Sequence, residues 1–373
     1  MGKDEKFWRI EEEFFGSDRK ESRKERKLAS TKDRSKYKKT DQNQLKKRGL
    51  IPAVEEADSL PEGRVLAINP EGILVCSDEK KIMCTLKGSL KQDKNRIKNL
   101  VAVGDIVHFE ETSSGQGYIA KVKERRSILS RADNLSRNKE QLIAVNIDQV
   151  LITTSVALPP LKPFLVDRYI IAAQKGNMEP VILINKIDLL NAVDSESLEE
   201  ERALYEEFVR TYRSLGFQVI PLSVETGEGI EDLKQAMHHK TSVFSGQSGV
   251  GKSSLINLVT GSSFATGDIV QKTQKGSHTT TTTHLVPLEN GGFCIDTPGI
   301  KSFGVWQLQA DEVASYFSEI SALSTECKFR GCSHLSEPGC AVKLALEENK
   351  ISPLRFASYC ALIASISKEH KQR

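Results

Sequence analysis

The sequence predicts a multidomain fold, with a small N-terminal β-barrel, a central α/β domain and a C-terminal helical domain. Short β-like runs fill residues 61–130, strands alternate with helices over residues 142–303, and a cysteine cluster lies between helices near the C-terminus. At 373 residues, the chain is long enough for two or three such domains. The predicted segments are 1–58, 59–132, 133–309 and 310–373.

The first segment, residues 1–58, is a basic extension. Between residues 19 and 48 it carries fourteen Lys or Arg against four Asp or Glu, in a chain whose net charge is only +3. Because aliphatic residues are scarce there, the extension is predicted to be disordered. Its charge favours a polyanionic partner bound by counterion release, and a solvated segment without a partner is the alternative.

The overall composition is that of a soluble protein. Hydrophobic residues make up 38% and charged residues 28%, and no apolar run approaches the roughly 18 residues of a membrane span. Residues 1–6 are too charged to resemble a signal peptide. We therefore expect a cytoplasmic monomer without a membrane partner. The seven unevenly spaced cysteines argue against a disulfide framework.

The second segment, residues 59–132, is predicted to form an OB-fold β-barrel. Five short strand-like runs within about seventy residues, separated by turn residues, are typical of this fold. Such barrels commonly bind oligonucleotides, although the fold alone does not establish binding. The five runs are 64–68, 72–76, 81–84, 103–109 and 117–122.

The third segment, residues 133–309, is predicted to contain a mostly parallel, doubly wound sheet. Apolar runs that are short enough to be buried strands alternate here with longer amphipathic stretches, which is typical of α/β domains. The strand candidates are 149–154, 180–184, 218–222, 242–245 and 292–295, and the helical stretches are 163–175 and 197–215.

A phosphate-binding motif follows one of these strands. Residues 246–253 read Gly-Gln-Ser-Gly-Val-Gly-Lys-Ser and satisfy GxxxxGK[ST], with a strand before the motif and a helix after it. Backbone N–H groups and the helix N-terminus favour phosphate binding. Lys252 is expected to reach the β- and γ-phosphates, and Ser253 to ligate Mg²⁺. The predicted contacts are Gly246, Gln247, Ser248, Gly249, Val250, Gly251, Lys252, Ser253 and Ser254.

Two further motifs predict that the base is guanine. Asn185, Lys186, Ile187 and Asp188 form NKxD after an apolar strand. The Asp188 carboxylate can accept hydrogen bonds from guanine N1–H and N2–H₂, which adenine cannot donate; Asn185 is expected to brace the neighbouring loops and Lys186 to pack on the base. Ser223 begins Ser-Val-Glu-Thr-Gly, which resembles a supporting guanine loop. GTP with Mg²⁺ is therefore the expected substrate.

The switch motifs follow the phosphate-binding loop. Residues 296–299 read DxPG, so Asp296 is expected to hold Mg²⁺ through water and the Gly299 N–H to contact the γ-phosphate. A threonine run at 279–283 lies where a switch threonine is needed, although such a run could also be an exposed strand. These motifs occur in rotated order along the chain, which predicts a circularly permuted GTPase whose second switch leads into the C-terminal domain.

The sequence lacks the glutamine that usually orients the attacking water in GTPases. Ile300 stands where a water-orienting glutamine is usual, and an aliphatic side chain cannot orient water. His278, beside the threonine run, is the best candidate to position water or to act as a base. The alternative is that His278 is an ordinary loop residue. A slow intrinsic rate that awaits stimulation by a partner follows from the absence of the usual glutamine.

The last segment, residues 310–373, is predicted to bind a structural zinc ion. Cys327, Cys332, His334 and Cys340 give the pattern C-x4-C-x-H-x5-C, a closed tetrahedral donor set. The alternative is three free cysteines near a chance histidine. Cys360 is a possible replacement ligand, but we expect it in the hydrophobic core.

Taken together, the motifs resemble the RsgA (YjeQ) family of circularly permuted GTPases. The matching stretches are 246–255, 276–281, 296–299, the barrel with residues 125–131, and the Cys/His cluster, so the resemblance spans about residue 61 to the C-terminus. It implies a GTPase that acts on the small ribosomal subunit and its rRNA late in assembly, with turnover stimulated by that subunit and driving release. An RNA-binding scaffold that uses GTP as a ligand with little turnover is the alternative.

The resemblance also implies two roles near the threonine run. His278 matches the proposed catalytic histidine of the family, and Thr280 matches its switch threonine, which would bind Mg²⁺ together with Ser253 and Asp296. The predicted catalytic set is His278, Thr280, Asp296 and Lys252. This chain departs from the family in its basic extension and in having five threonines where three are usual, which leaves the switch residue open between Thr279, Thr280 and Thr281.

Overall fold

The computed structural model describes residues 58–78, 80–87, 100–112, 115–132, 140–191, 196–261, 283–296 and 308–371. Of these, the residues within 58–131 and 142–371 belong to one compact unit. No helix in the described ranges is long and apolar enough to cross a membrane. The basic extension and most of both predicted switch segments lie outside these ranges.

The N-terminal strands close into a barrel, as predicted. Strand β3 pairs with β2 and parallel to β5, and β4 pairs antiparallel with both β5 and β1, so the order β1-β2-β3-β5-β4 returns to β1. This closed order confirms the OB-fold. Alternate residues such as Val65, Val75 and Phe109 fill its interior. The strands are β1 (Glu62–Asn69), β2 (Gly72–Ser77), β3 (Lys80–Leu86), β4 (Ile106–Glu111) and β5 (Gln116–Val122).

The fourth predicted strand begins later than expected. The prediction started at Val103, but β4 begins at Ile106. Gly104 has φ +92°, and a Cβ at this position would lie 2.1 Å from the Val145 carbonyl oxygen, so the chain turns here instead of extending. Val103 forms an isolated parallel bridge with Ala144. Residues 103–105 therefore join the barrel to a two-stranded sheet of β6 (Ile128–Ala132) and β7 (Glu140–Val145).

The central domain contains the predicted parallel sheet. Its strands are ordered β10-β9-β8-β11-β13-β12, all parallel except β12, which runs antiparallel to β13. All five predicted strands are present. The short β12 was not predicted, because its four residues next to the threonine run show no alternation. The strands are β8 (Gln149–Ser155), β9 (Glu179–Asn185), β10 (Gln218–Pro221), β11 (Thr241–Gly246), β12 (His284–Pro287) and β13 (Phe293–Asp296).

Helices cover both faces of this sheet. Side chains of α1 and α2 pack with Val150, Ile152 and Ile182 on one face, and those of α3 and α4 pack with Leu151 and Val181 on the other. Because successive strand residues point to opposite faces, both faces of these central strands are apolar. The helices are α1 (Pro163–Lys175), α2 (Glu196–Ser214), α3 (Ile230–Ala236) and α4 (Lys252–Thr260).

The path of the chain creates a crevice at one edge of the sheet. The chain runs outward from β8 through β9 to β10, returns to β11 beside β8, and then continues to β13 on the other side. The loops after β8 and β11 therefore diverge at a topological switch point. In such sheets, ligands bind outside the carboxyl ends of the strands at this point.

The barrel and the central sheet are continuous. Ala67 of β1 pairs with His284 of β12, so eleven of the described strands form one sheet. Arg64 strengthens the junction, because its Nη1 donates to Thr241 Oγ1 at 2.9 Å and its guanidinium lies 4.8 Å from the centre of the Phe293 ring.

The C-terminal domain is helical, as predicted. A 3₁₀ turn at Val313–Tyr316 precedes α5 (Ser318–Ser324), α6 (Ala341–Glu347) and α7 (Pro353–Lys371). Their buried residues, among them Phe317 and Tyr359, form one core that also includes Ile171 of α1. The C-terminal domain therefore packs directly on the first helix after β8.

Candidate functional site

The phosphate-binding loop connects β11 to α4 and is pressed against its neighbours. Gly246 has φ +139°, and a Cβ at this position would lie 2.0 Å from the Thr153 carbonyl oxygen. Gly251 has φ +95°, and its Cβ would lie 2.3 Å from Asn185 Nδ2. Both positions require glycine, because only a residue without Cβ fits this space and this backbone conformation.

The loop ends at the N-terminus of α4. Gly251 caps the helix, and the first turn contains no acidic residue. Ser253 and Ser254 are exposed in that turn. Lys252 folds back over the loop, with its Nζ donating to the carbonyl oxygens of Gly246 at 2.8 Å and Gln247 at 2.6 Å. The backbone N–H groups and the helix dipole make this a favourable site for an anion.

Asn185 connects the guanine loop to the phosphate-binding loop. It ends β9, is 2% exposed, and donates from Nδ2 to the Val250 carbonyl oxygen at 2.8 Å. Its Oδ1 accepts from the N–H groups of Lys186 at 2.8 Å and Val224 at 3.3 Å. One buried amide therefore fixes three loops, as the motif predicted. Val250 itself is buried.

Ser223 orients the carboxylate predicted to read guanine. Its hydroxyl donates to Asp188 Oδ1 and accepts from the Thr226 N–H at 3.2 Å. Ser223 is fully buried, whereas Asp188 and Ile187 are half-buried at the edge of the site. The hydrogen bond leaves Asp188 Oδ2 and the remaining lone pair of Oδ1 as acceptors for a bidentate partner.

A further loop joins this site, and the sequence did not predict it. The Nζ of Lys186 donates to the Leu158 carbonyl oxygen in the loop after β8. Ser155 Oγ holds the same loop by donating to the Pro159 carbonyl oxygen at 2.7 Å, and Pro159 Cδ lies 3.6 Å from a Cβ built on Gly249. The available signal was the Leu-Pro-Pro sequence at 158–160, which begins three residues after the end of a buried strand at the switch point.

The described parts of the switch region meet at one pair of residues. His284, which opens β12 after the threonine run, pairs with Asp296, which ends β13 before the second switch. The pairing brings the ends of both switch segments side by side. The side chain of Asp296 lies outside the described residues, as do His278, Thr279, Thr280, Thr281, Gly299 and Ile300.

The four predicted zinc ligands converge in the C-terminal domain. The ligand atoms of Cys327, Cys332, His334 and Cys340 all lie within 4.8 Å of one another. His334 Nδ1 is 3.6 Å from Cys327 Sγ and 3.4 Å from Cys340 Sγ, and these two sulfurs are 3.9 Å apart. Tetrahedral zinc places such ligand atoms about 3.5–3.8 Å apart, so the donor set fits the ion.

Neighbouring residues hold the ligands in place. Ser324 Oγ lies 3.1 Å from His334 Nε2, which turns Nδ1 toward the sulfurs. Glu337 accepts hydrogen bonds from the Ser333 hydroxyl at 2.6 Å and the Ser333 N–H at 2.8 Å, and these lower the pKa of its carboxyl to about 2. Tyr359 donates to the Ser333 carbonyl oxygen at 2.9 Å. We call residues 327–340 the zinc knuckle.

The cysteines are free thiols, and one thiol of the cluster has a shifted pKa. All seven are free of disulfide bonds. Burial and the nearby sulfurs of Cys340 and Cys327 raise the pKa of the Cys332 thiol to about 11, and a bound cation would reverse this shift. Cys360 is outside the cluster and packs against the core of the C-terminal helices, as expected.

Fold and site together define a class of protein. The NKxD loop (185–188) and Ser223 precede the phosphate-binding loop in the chain. All three nevertheless meet at the carboxyl edge of one parallel sheet. The next strands lead to the two switch motifs. This is a circularly permuted GTPase, extended by an OB-fold barrel and by a helical domain with a Cys₃His cluster.

The chain belongs to the RsgA GTPase family. A model of that family matches residues 122–306. A relative from Chlorobaculum parvum, named small ribosomal subunit biogenesis GTPase RsgA, is 40% identical over 305 residues, which cover 79% of this chain and 94% of the relative. A relative of the same name from Actinobacillus succinogenes is 41% identical over 278 residues, covering 73% and 77%.

Two solved structures share the fold. YjeQ from Thermotoga maritima aligns with a TM-score of 0.65 and 30% identity, covering 82% of this chain and 98% of YjeQ. YloQ, described as a circularly permuted GTPase, aligns with a TM-score of 0.64 and 28% identity, covering 83% and 96%. Both structural alignments cover more of this chain than the family-model match at residues 122–306.

Proposed function

We propose that this protein binds the small ribosomal subunit late in its assembly and that hydrolysis of GTP to GDP and phosphate releases it. The main support is the guanine pocket, in which Ser223 aligns Asp188 and Asn185 fixes the phosphate-binding loop. The relatives from two bacteria are named for biogenesis of the small ribosomal subunit. The subunit is therefore the proposed activator and the rRNA its binding surface.

The chemical roles follow from charge and position. Lys252 and the N–H groups of the loop would neutralise the β- and γ-phosphates. Ser253, Thr280 and Asp296 would hold Mg²⁺, which would supply positive charge beside the phosphates. The Gly299 N–H contacts the γ-phosphate. His278 positions the attacking water, because Ile300 cannot. Guanine contacts come from Asn185, Lys186, Ile187, Asp188 and Ser223.

The other parts of the chain are assigned to binding and folding. One Zn²⁺ is held by Cys327, Cys332, His334 and Cys340, and with four protein ligands it holds structure and leaves no open position for catalysis. The basic extension (1–58), the barrel (59–132) and the zinc domain (310–373) contact rRNA, and the GTPase domain (133–309) carries the nucleotide site. The protein acts as a cytoplasmic monomer.

The test is phosphate release from GTP with and without purified small ribosomal subunits, with large subunits as the control. Strong stimulation by the small subunit alone supports the proposal. Turnover that is indifferent to ribosomes would overturn the choice of partner but would leave the GTPase assignment intact.

A second experiment distinguishes the enzyme from a GTP-dependent scaffold. The presence of Ile300 in place of a water-orienting residue favours the scaffold unless His278 replaces that function. We expect His278→Ala to lose about 10²- to 10⁴-fold of the subunit-stimulated rate while retaining GTP binding. If the variant is as fast as the parent, the catalytic assignment of His278 is wrong.

A further inference from the structure

A buried ion cluster joins the C-terminal domain to the GTPase domain. Arg355 of α7 is 2% exposed and pairs with Asp167 of α1 and Glu319 of α5, with Nε donating to Glu319 Oε1 at 2.7 Å. Its guanidinium lies 4.2 Å from the ring centre of Phe317 and 5.3 Å from that of Tyr212. One side chain therefore connects helices from both domains.

The cluster is suited to fixing one geometry. Burial raises the pKa of the Asp167 carboxyl, and the charge of Arg355 opposes that rise. The Tyr212 hydroxyl donates to Asp167 Oδ1 at 2.7 Å. Buried ion pairs add little net stability, since desolvation offsets their attraction. The N–H groups of the planar guanidinium, however, point in fixed directions, so they donate to both carboxylates only when the helices are correctly placed. The register of α1 against α7 is therefore strongly specified.

The loop that precedes α1 reaches the nucleotide site. The helix follows directly from the loop whose Leu158 carbonyl accepts the Nζ of Lys186 and whose Pro159 ring lies beside Gly249. Leu158 has φ +49°, an uncommon conformation for a leucine, so the surrounding contacts must maintain it. Asp167 lies in the second turn after this loop and is fully buried.

The other end of the connection is the zinc knuckle. Tyr359 follows Arg355 by one turn of α7 and donates to the Ser333 carbonyl oxygen between two ligands, Cys332 and His334. Tyr359 is 2% exposed and contacts Phe317 edge to face. Named contacts therefore link the zinc knuckle through α7, Arg355, Asp167 and α1 to the loop that holds Lys186.

We propose that Arg355 is a positioning residue for the nucleotide pocket: by fixing α1 against α7, it keeps the Leu158 carbonyl on Lys186 and so retains the bound guanine nucleotide. The zinc domain thereby sets how long the nucleotide stays bound. This inference rests on the proposed packing of Lys186 on the base, but not on the ribosome as a partner.

The test measures release of mant-GDP from the full-length protein after addition of excess unlabelled GDP. We expect Arg355→Met to accelerate release about three- to tenfold, and Arg355→Lys, which keeps the charge but not the fork, to fall between it and the parent. The KM for GTP should rise with little change in kcat, as expected when binding but not chemistry is weakened. Zinc content should remain at one ion per chain.

Two control variants separate positioning from general destabilisation. Lys350→Met removes a cation near the start of α7 that is 69% exposed, and release should be unchanged. Leu362→Ala removes buried contacts from the same C-terminal core, so it should lower the melting temperature without accelerating release. Asp167→Asn keeps the shape of the side chain and removes its charge, so it should also accelerate release. It serves as the test variant if Arg355→Met does not fold.

Three outcomes would overturn the inference. Release at the parental rate from folded, zinc-loaded Arg355→Met or Asp167→Asn would show that the cluster does not position the pocket. Equal acceleration by Leu362→Ala would show that stability alone controls release. If the parent protein fails to bind mant-GDP, the assignment of the guanine site is wrong, and the inference fails with it.

Discussion

The phosphate-binding loop and the zinc knuckle offer opposite kinds of groups to the charged ligands predicted for them. The loop uses backbone N–H groups, and its critical residues, Gly246 and Gly251, are those with no side chain. The knuckle uses side chains alone, and its ligands depend on Ser324, Glu337 and Tyr359 to orient them. A backbone site is therefore broken by adding atoms, whereas a side-chain site is broken by removing them.

The largest effect is expected from removing a zinc ligand. Cys340→Ser should reduce bound zinc from one ion per chain to nearly none, because the oxygen is a poor replacement for a thiolate and roughly 10–16 kcal/mol of binding stabilises such domains. Metal analysis after dialysis measures this change. The C-terminal helices should also lose their cooperative melting transition, and full zinc retention would contradict the assignment of Cys340.

The matching change at the backbone site adds one methyl group. Gly251→Ala should weaken GTP binding about a hundredfold, because the left-handed conformation costs a residue with Cβ about 1–2 kcal/mol and the methyl group also displaces Asn185. Titration with a fluorescent GTP analogue measures the loss. Gly216→Ala, at a left-handed glycine (φ +85°) outside the site where a Cβ meets nothing within 4 Å, controls for the left-handed conformation alone.

A smaller loss of nucleotide affinity is expected from Ser223, a side chain of the nucleotide site. Ser223→Ala removes the hydroxyl that aligns Asp188, so guanine binding should weaken about five- to tenfold, as for loss of one ordinary hydrogen bond of about 1 kcal/mol. Competition between GTP and ATP for the site measures the change in preference. If the preference for guanine is unaffected, Asp188 is oriented by other contacts.

The smallest effect concerns the support of the zinc knuckle. The pKa of Glu337 falls from 4.5 to about 2 on folding, so its stabilisation is present above pH 4.5 and is lost as the pH falls toward 2. Glu337→Gln should therefore lower the melting temperature by a few degrees at pH 7, and the difference from the parent should narrow below pH 4.5. A constant difference at all pH values would show that the charge is irrelevant.

Most of the fold could be predicted because its signals are local. The five strands of the barrel and the five parallel strands each appear as short apolar runs, and the two binding motifs lie within eight and four consecutive residues. The short strand β12 lacked such a signal, because His284–Pro287 has only four residues and its partner Ala67 is distant in the sequence.

The contacts between the motifs could not be predicted in the same way. NKxD does not reveal that Lys186 reaches the Leu158 carbonyl, since that contact depends on how two loops leave adjacent strands. The cluster of Asp167, Glu319 and Arg355 is assembled from three helices, and each charge by itself reads as an ordinary surface residue. The roles assigned to the switch residues stay predictions.

The rotated order of the strands also shapes how the chain is made. On the ribosome, β8 emerges before its neighbour β11, and Gln149 meets its partner Ser242 only after 93 further residues. Until then, one long edge of β8 has no strand beside it, although all seven of its residues are buried in the finished sheet. An apolar strand with an open edge is prone to aggregation, so β8 is an aggregation-prone segment of the nascent chain until the strand before the phosphate-binding loop is synthesised.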